Sequence, residues 1–235
     1  MKRLVMAALL VAAPLAAQET AGKPRTITVN ATGHVERAPD RVVLAFAAET
    51  TGKTAVAASQ ANARVMHQLL SALADAGVPK DRIHTQRLNL QPQYAQPKPG
   101  ERTEPQIIGY RAQNQVQVTL EQVDRAGAVV DAAVGAGANR VSGIWFELAD
   151  PESARIEALG QAVSQAHAEA DAIARALGET LGPVLSASTE GPPNIGPLRA
   201  RATAFEGTSG PPTSVEPGTI DVSATVHLVF SLGGG

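Results

Sequence analysis

Apolar and polar residues alternate over Ile27–Gly33, where Ile27, Val29, Ala31 and Gly33 interleave with Thr28, Asn30 and Thr32. That is the period of a strand buried on one face. Arg37-Ala38-Pro39-Asp40 makes a turn, and Arg41–Glu49 reads as a second, more fully apolar strand. These two strands are expected to form a hairpin. Three- and four-residue spacing then takes over: Ala58, Ala61, Val65, Leu69 and Leu73 predict a helix over about 54–76, stopped by Gly77 and Val78-Pro79. Period two returns over 83–94, with Leu88 and Leu90 in phase, and is clearest over 108–121. There Tyr110, Ala112, Val116, Val118 and Leu120 oppose Arg111, Gln113, Gln115, Gln117 and Thr119, so one face packs on helices and the other meets water or another chain.

The solvated stretch Gln96–Pro105 separates these two strands. A short helix over 123–134, a strand over 141–148 and the longest helix, over 152–177, follow. Asp150 is a good N-cap for the long helix, and Pro151 suits its first position. Ile156, Leu159, Val163, Ala166, Ala170, Ile173 and Leu177 recur at alternating intervals of three and four, predicting a continuous buried seam, and Gly178 caps it. Strands over 183–189 and 219–232 close the chain, the second with Ile220, Val222, Ala224, Val226, Leu228 and Phe230 on one face. Between them 190–218, rich in Pro, Gly, Ser and Thr, lacks hydrophobic period and is expected to be a mobile excursion. The sum is an α+β fold: an antiparallel or mixed sheet of about seven strands with three main helices on one face. Two strand–helix–strand passages hint at two similar halves.

The start of the chain changes the picture of where it works. Lys2-Arg3, an apolar stretch from Leu4 to Leu15 and the small pair Ala16-Ala17 have the layout of a signal peptide over 1–17. The apolar stretch is too short for the ~20 residues of a membrane span. Residues 18–25 then read as a flexible N-terminus and 26–232 as a single domain. No later segment approaches a membrane span. Loss of Lys2 and Arg3 takes the formal net charge from −2 to −4. Basic residues do not cluster and only seven aromatics are present, which disfavours nucleic-acid binding. There is no cysteine, so neither disulfides nor thiol chemistry is available.

Candidate chemistry is sparse. Gly135 and Gly137 supply two glycines of a dinucleotide fingerprint, but that fingerprint needs strand, turn, then helix. Here a helix precedes the turn and a strand follows it, and Arg140 holds the third glycine position. The two glycines read as helix C-caps, with Asn139 suited to a left-handed or turn conformation. His34, His67, His84, His167 and His227 are scattered over different elements. His167 and Asp171, four apart on one helix, could share a metal or simply form an exposed pair. Asp40 reads as a turn former. There is no G-x-S-x-G. Trp145 falls on the strand face opposite Ile144 and Phe146, as a ligand stacker or as a residue covered by a helix or a subunit. No residue is assigned a catalytic, cofactor-binding or metal-binding role, no cofactor is expected, and the chain is read as no enzyme.

Several of these segments together resemble the SIMPL-domain family. They are Ile27–Gly33 followed by Ala38-Pro39-Asp40; Leu90, Pro92 and Tyr94; Gly109-Tyr110 with Ala112, Asn114, Val116 and Val118; and Gly137-Ala138-Asn139 with Ile144 and Phe146. Ala154-Arg155, Leu177-Gly178 and Leu181-Gly182 complete the pattern, which covers about 27–232. The resemblance implies an exported α+β protein of the bacterial periplasm or outer envelope. It also implies links to oxidative-stress tolerance and, in at least one relative, a channel-like homo-oligomer. The family supplies no agreed catalytic residues. Gly160 and the length of 190–218 depart from its pattern. The expected function is thus a non-enzymatic periplasmic scaffold or channel-like assembly that self-associates. The alternative is an envelope module binding a small molecule or peptide, with Trp145 and Tyr110 as the residues to probe. With no cysteine and only Met66 left after the leader, a thiol peroxidase or a sacrificial oxidant sink is excluded.

Overall fold

A computed structural model describes residues 25–95, 104–191, 194–195, 213 and 215–233. The proposed leader over 1–17 lies outside them, as does most of the excursion expected over 190–218. The α+β class holds, but the strands divide between two antiparallel sheets. One sheet is built by β2 (Arg41–Gly52), β3 (Ile83–Tyr94), β4 (Ile107–Leu120) and β5 (Arg140–Glu147), in the order β3-β4-β2-β5. With α1 (Ala55–Asp75) between β2 and β3, and α2 (Ala126–Gly135) between β4 and β5, this is the βαββαβ arrangement of ferredoxin-like units. The other sheet places β8 (Ile220–Gly233) between β1 (Thr26–Arg37) and β6 (Thr180–Thr189), covered by α3 (Pro151–Ala176). A two-residue strand, β7 (Asn194–Ile195), also pairs with β8 at Ser223 and Val222.

The expected hairpin of the first two strands does not form. β1 pairs with β8 from Thr26↔Ser231 to Arg37↔Ile220, while β2 pairs with β4 and β5. The turn Ala38-Pro39-Asp40 instead carries the chain from one sheet to the other. The chain returns at Leu148–Asp150, and the two crossings are tied: the Asp40 carboxylate accepts the Ala149 N–H at 2.6 Å. Leu148 packs on the cluster formed by Val35, Ala154, Ala158, Ile220 and Val222. The first sheet, α1 and α2 enclose a separate core around Leu44, Phe46, Leu69, Leu73, Val116 and Val118.

The three described α-helices stop by the same device. Gly77, Gly137 and Gly178 have φ of 77°, 102° and 72°, a region costly for any residue with a Cβ. In each, the residue after the glycine donates back to the carbonyl at the head of the last turn, Val78 to Leu73, Ala138 to Ala133 and Glu179 to Ala174. N-caps also follow the local pattern: Thr54 accepts from Ala57 N and Asp150 from Ser153 N.

The face that α3 buries matches the predicted seam only at Ala166 and Ala170, with Leu159 at its margin. Ala154, Ala158, Ala162, Ala166, Ala170 and Ala174, every fourth residue, are its buried positions. Ile156 is 61 % exposed, and Val163, Ile173 and Leu177 also face outward. The reason lies across the interface. A Cβ on Gly33 of β1 would sit 2.0 Å from the Ala158 carbonyl oxygen and 2.8 Å from Ala162 N. The helix backbone therefore rests almost directly on the strand, and only methyl-sized side chains fit between them. In α1 the buried positions are Ala58, Asn62, Met66, Leu69 and Leu73. Asn62 is the one buried polar residue in the described core, and its amide donates to the carbonyls of Ala48 (2.8 Å) and Ala112 (3.3 Å), pinning the helix to β2 and β4.

Candidate functional site

The helices cover one face of the β3-β4-β2-β5 sheet; among the described residues no helix or strand packs on the other. Strand alternation places Val43, Ala45, Ala47 and Glu49 of β2 on that open face. Their partners there are Trp145, Gly143 and Arg140 on β5, and Thr119, Gln117, Gln115 and Gln113 on β4. On β3, His84, Arg87, Asn89 and Gln91 extend the rows. In the middle of the face Ala47 and Ala45 are 0 % and 2 % exposed, so the surface open to a ligand is that of their longer neighbours.

Trp145 flanks these buried positions from β5, opposite Val43. A Cβ on Gly143 would lie 2.4 Å from two atoms of the indole, so the ring lies down over Gly143 along its own strand. It remains 48 % exposed. Of the two readings of Trp145 from sequence, coverage by a helix does not occur among the described residues, and a flat, accessible aromatic surface does. Tyr110, its companion as a residue to probe, is on the helix side at the far end of β4, opposite Gly52 and Pro92. The two are not brought together.

Of the charged residues of the face, Arg111 belongs to the outward row read from the sequence, while Glu49, Arg87 and Arg140 were given no place beside it. The Glu49 carboxylate is bridged by Arg111 Nε and Arg140 Nη2, each at 3.3 Å. Asn139 holds Glu49 from the end of the α2–β5 corner: its Oδ1 accepts Glu49 N–H at 2.9 Å and its Nδ2 donates to Glu49 O at 2.7 Å. Asn139 thus continues the ladder of β5 with a side-chain amide, and does so without a positive φ. The Gly135–Asn139 loop is a corner built on a helix C-terminus, and it presents carbonyls rather than N–H groups to an anion. Gln86 and Gln117 join amide to amide across β3 and β4. Beyond Arg111, a recess of about 450 Å³ is lined by Gln91, Pro92, Gln93, Tyr94 and Ile108. The only signal for this cluster was the outward polar row of 108–121, which marks a face without saying what stands beside it.

The other sequence candidates are apart. Asp171 pairs with Arg175, and His167 packs edge-on against Phe230 with ring centroids 5.8 Å apart, so the two do not form a shared ligand pair. His34 contacts Asp221 at 3.3 Å, and His227 contacts Asn30 at 2.6 Å and Glu190 at 3.1 Å, all on the outer face of the β1-β8-β6 sheet. Among the described residues no three His, Asp or Glu side chains converge as metal ligands. Arg155, hydrogen-bonded to Glu152 at the start of α3, holds that carboxyl below the usual carboxylate range, and Glu152 in turn raises Arg155. The pair is a solvent-facing i,i+3 bridge remote from the open face. No described helix is long and apolar enough to cross a membrane.

The chain is 33 % identical over 153 residues to the uncharacterized protein YggE of Edwardsiella ictaluri, covering 65 % of this chain and 62 % of that one. It is 32 % identical over 165 residues to the YggE proteins of Escherichia coli K12 and Shigella flexneri, covering 69 % of this chain and 65 % of theirs. The chain thus spans somewhat less than two thirds of the length of these curated relatives. Residues 27–230, from the first buried position of β1 to the last of β8, match the profile of SIMPL, described as a protein of unknown function (DUF541), and the chain belongs to that family.

Proposed function

We propose that this protein is a non-enzymatic, exported scaffold of the bacterial envelope that self-associates through the free edge of its four-stranded sheet. The observation that carries this reading is the outer hairpin. β3 is an edge strand, and Leu88 (71 % exposed), Leu90, Tyr94, Ile107 and Ile108 (64 % exposed) all face solvent along it and its partner. Leu88 and Leu90 point to the same side as buried Ala112 but lie beyond the cover of α1. Edge strands that remain unpaired in solution carry charges, bulges or covering loops, and a long edge with apolar side chains is a template for another chain. The bulge at Gln86 lies at one end of β3 and leaves the stretch from Arg87 to Gln91 available.

Light scattering coupled to size exclusion tests the reading. The expected result is a native mass that is a multiple of the protomer at tens of micromolar, falling to a single protomer in the double variant Leu88→Ser/Leu90→Ser. A monomeric wild type refutes it. Export rests on the leader pattern and is checked by fractionation: signal in the cytoplasm alone contradicts it. A contribution to stress tolerance would be indirect, since the chain has no cysteine and Met66 is buried against α1's sheet.

A second reading, a binding module, is favoured by one observation, the accessible indole of Trp145 on a polar face that nothing among the described residues covers.

A further inference from the structure

We infer that the open face of the β3-β4-β2-β5 sheet binds an anionic polysaccharide, with a sugar ring seated on Trp145 and acidic groups held by Arg140 and Arg87. Trp145 and Arg140 lie on β5, at the opposite edge of the sheet from β3, while Arg87 lies on β3 itself, so it is the Trp145 and Arg140 side of the face that separates binding here from self-association there.

The indole lies flat over Gly143 rather than projecting outward, and it is 48 % exposed. A flat, accessible aromatic surface accepts a ligand that is itself flat on one side. Across β2, Gln113 and Gln115 offer planar amides that each donate and accept, the groups that match neighbouring hydroxyls on a ring. A pyranose has both features: an apolar face of C–H groups that stacks on an indole and a rim of hydroxyls.

Charge selects an acidic sugar. Arg41, Arg87, Arg111 and Arg140 share this face with Glu49 and Glu147, an excess of two positive charges on a chain whose formal net charge is −2. Glu49 is shared by Arg111 and Arg140, so it neutralises neither completely. Arg87 stands across Gln115 and Ala47 from Arg140. Two guanidinium groups on opposite sides of the face suit carboxylates spaced along a polymer, since the planar fork of Arg matches carboxylate geometry. A nucleic-acid strand fits less well. Such faces carry several stacking aromatics in a strongly basic domain, whereas here there is one indole in an acidic chain.

The chain has a single tryptophan, so its fluorescence reports on this site directly. Titration of the purified protein with oligogalacturonate is expected to shift or quench Trp145 emission saturably, and to weaken as salt rises. Neutral dextran and an oligo-dT strand serve as the other arms. Affinity electrophoresis through gels containing polygalacturonate gives a readout that survives loss of the indole. Trp145→Ala and Arg87→Gln/Arg140→Gln should each lower retardation on the order of tenfold. Gly143→Val, which forces the ring off the strand, should do the same while leaving a tryptophan to report. A far-UV spectrum matching wild type and an unchanged native mass confirm that each variant keeps its fold and assembly. No emission change and no retardation with polygalacturonate overturns the inference. So does oligo-dT binding as tightly as the uronate, which would make the face a general polyanion surface, or equal binding of dextran, which would remove the role of the arginines.

Discussion

Replacing Gly33 with alanine tests whether the α3 interface is as close as its geometry requires. The new methyl carbon would meet the Ala158 carbonyl oxygen at 2.0 Å, the Ala158 carbonyl carbon at 3.0 Å and Ala162 N at 2.8 Å. All three are backbone atoms, so no rotamer change relieves the clash. Even to reach 3.0 Å, below which real Cβ atoms essentially never come, the helix must retreat by about 1 Å at this point. A radial gap of ~0.5–1 Å forfeits a quarter to a half of each dispersion contact it opens. The contacts at stake are those of Ala154, Ala158 and Ala162, which are 4 %, 0 % and 0 % exposed. With about 0.8 kcal/mol for each methyl-sized group, and ~1–3 kcal/mol typical for overpacking, the cost is roughly 2–4 kcal/mol. Reduced freedom of the unfolded chain returns ~0.4–1 kcal/mol, because the native φ at Gly33 is one that alanine can adopt. The expected net loss is about 2–3 kcal/mol. Urea unfolding followed by far-UV circular dichroism measures it, since α3 is the longest helix. A Gly33→Ala protein within ~0.5 kcal/mol of wild type, about the scatter of neutral surface changes, refutes the close-packing argument. Gly160→Ala is the internal control: Gly160 is within α3, a Cβ there meets nothing within 4 Å, and the change should stabilise by about 0.5–1 kcal/mol.

Two further changes probe the polar pins of the first sheet. Asn62→Leu leaves the Ala48 and Ala112 carbonyls without their amide donor, so a loss of ~1–3 kcal/mol is expected by the same urea assay; an unchanged midpoint would show that the amide contributes nothing. Asn139→Ala removes both side-chain hydrogen bonds to the Glu49 backbone at the β2 edge, with an expected cost of about 1–2 kcal/mol and faster amide exchange at Glu49 N–H. Exchange at that amide no faster than wild type would contradict the role given to Asn139.

Much of the fold is legible in the residue pattern. The strands with alternating patterns begin and end within a few residues of expectation, and the inward row of β4 is Ala112, Val116, Val118 and Leu120, as periodicity requires. Gly77 and Gly178 stop helices where local chemistry places a stop, and Asp150 caps α3. The corner at Gly135–Asn139 is legible in direction, since a helix precedes it, but the division of labour is not. Gly137 takes the positive φ, Gly135 stays within the helix, and Asn139 acts through its amide instead of its backbone. The candidate site was half visible: Trp145 and the Gln row could be put on outward faces, while Glu49, Arg140 and Arg87 have no local pattern that joins them to it.

Sequence alone determined what depends on neighbours along the chain: the period of each element, the caps that end it, and the α+β class. Tertiary structure decided which strands pair and which helix face is buried. Hydrogen bonding between strands is set by the whole sheet, so β1 pairs with β8, 193 positions away at Thr32 and Thr225, rather than with the adjacent β2. The side of α3 that turns inward depends on how near the partner strand lies. Gly33 brings the backbones so close that alanines go inside and isoleucines remain out, a preference that no hydrophobicity pattern within the helix can express.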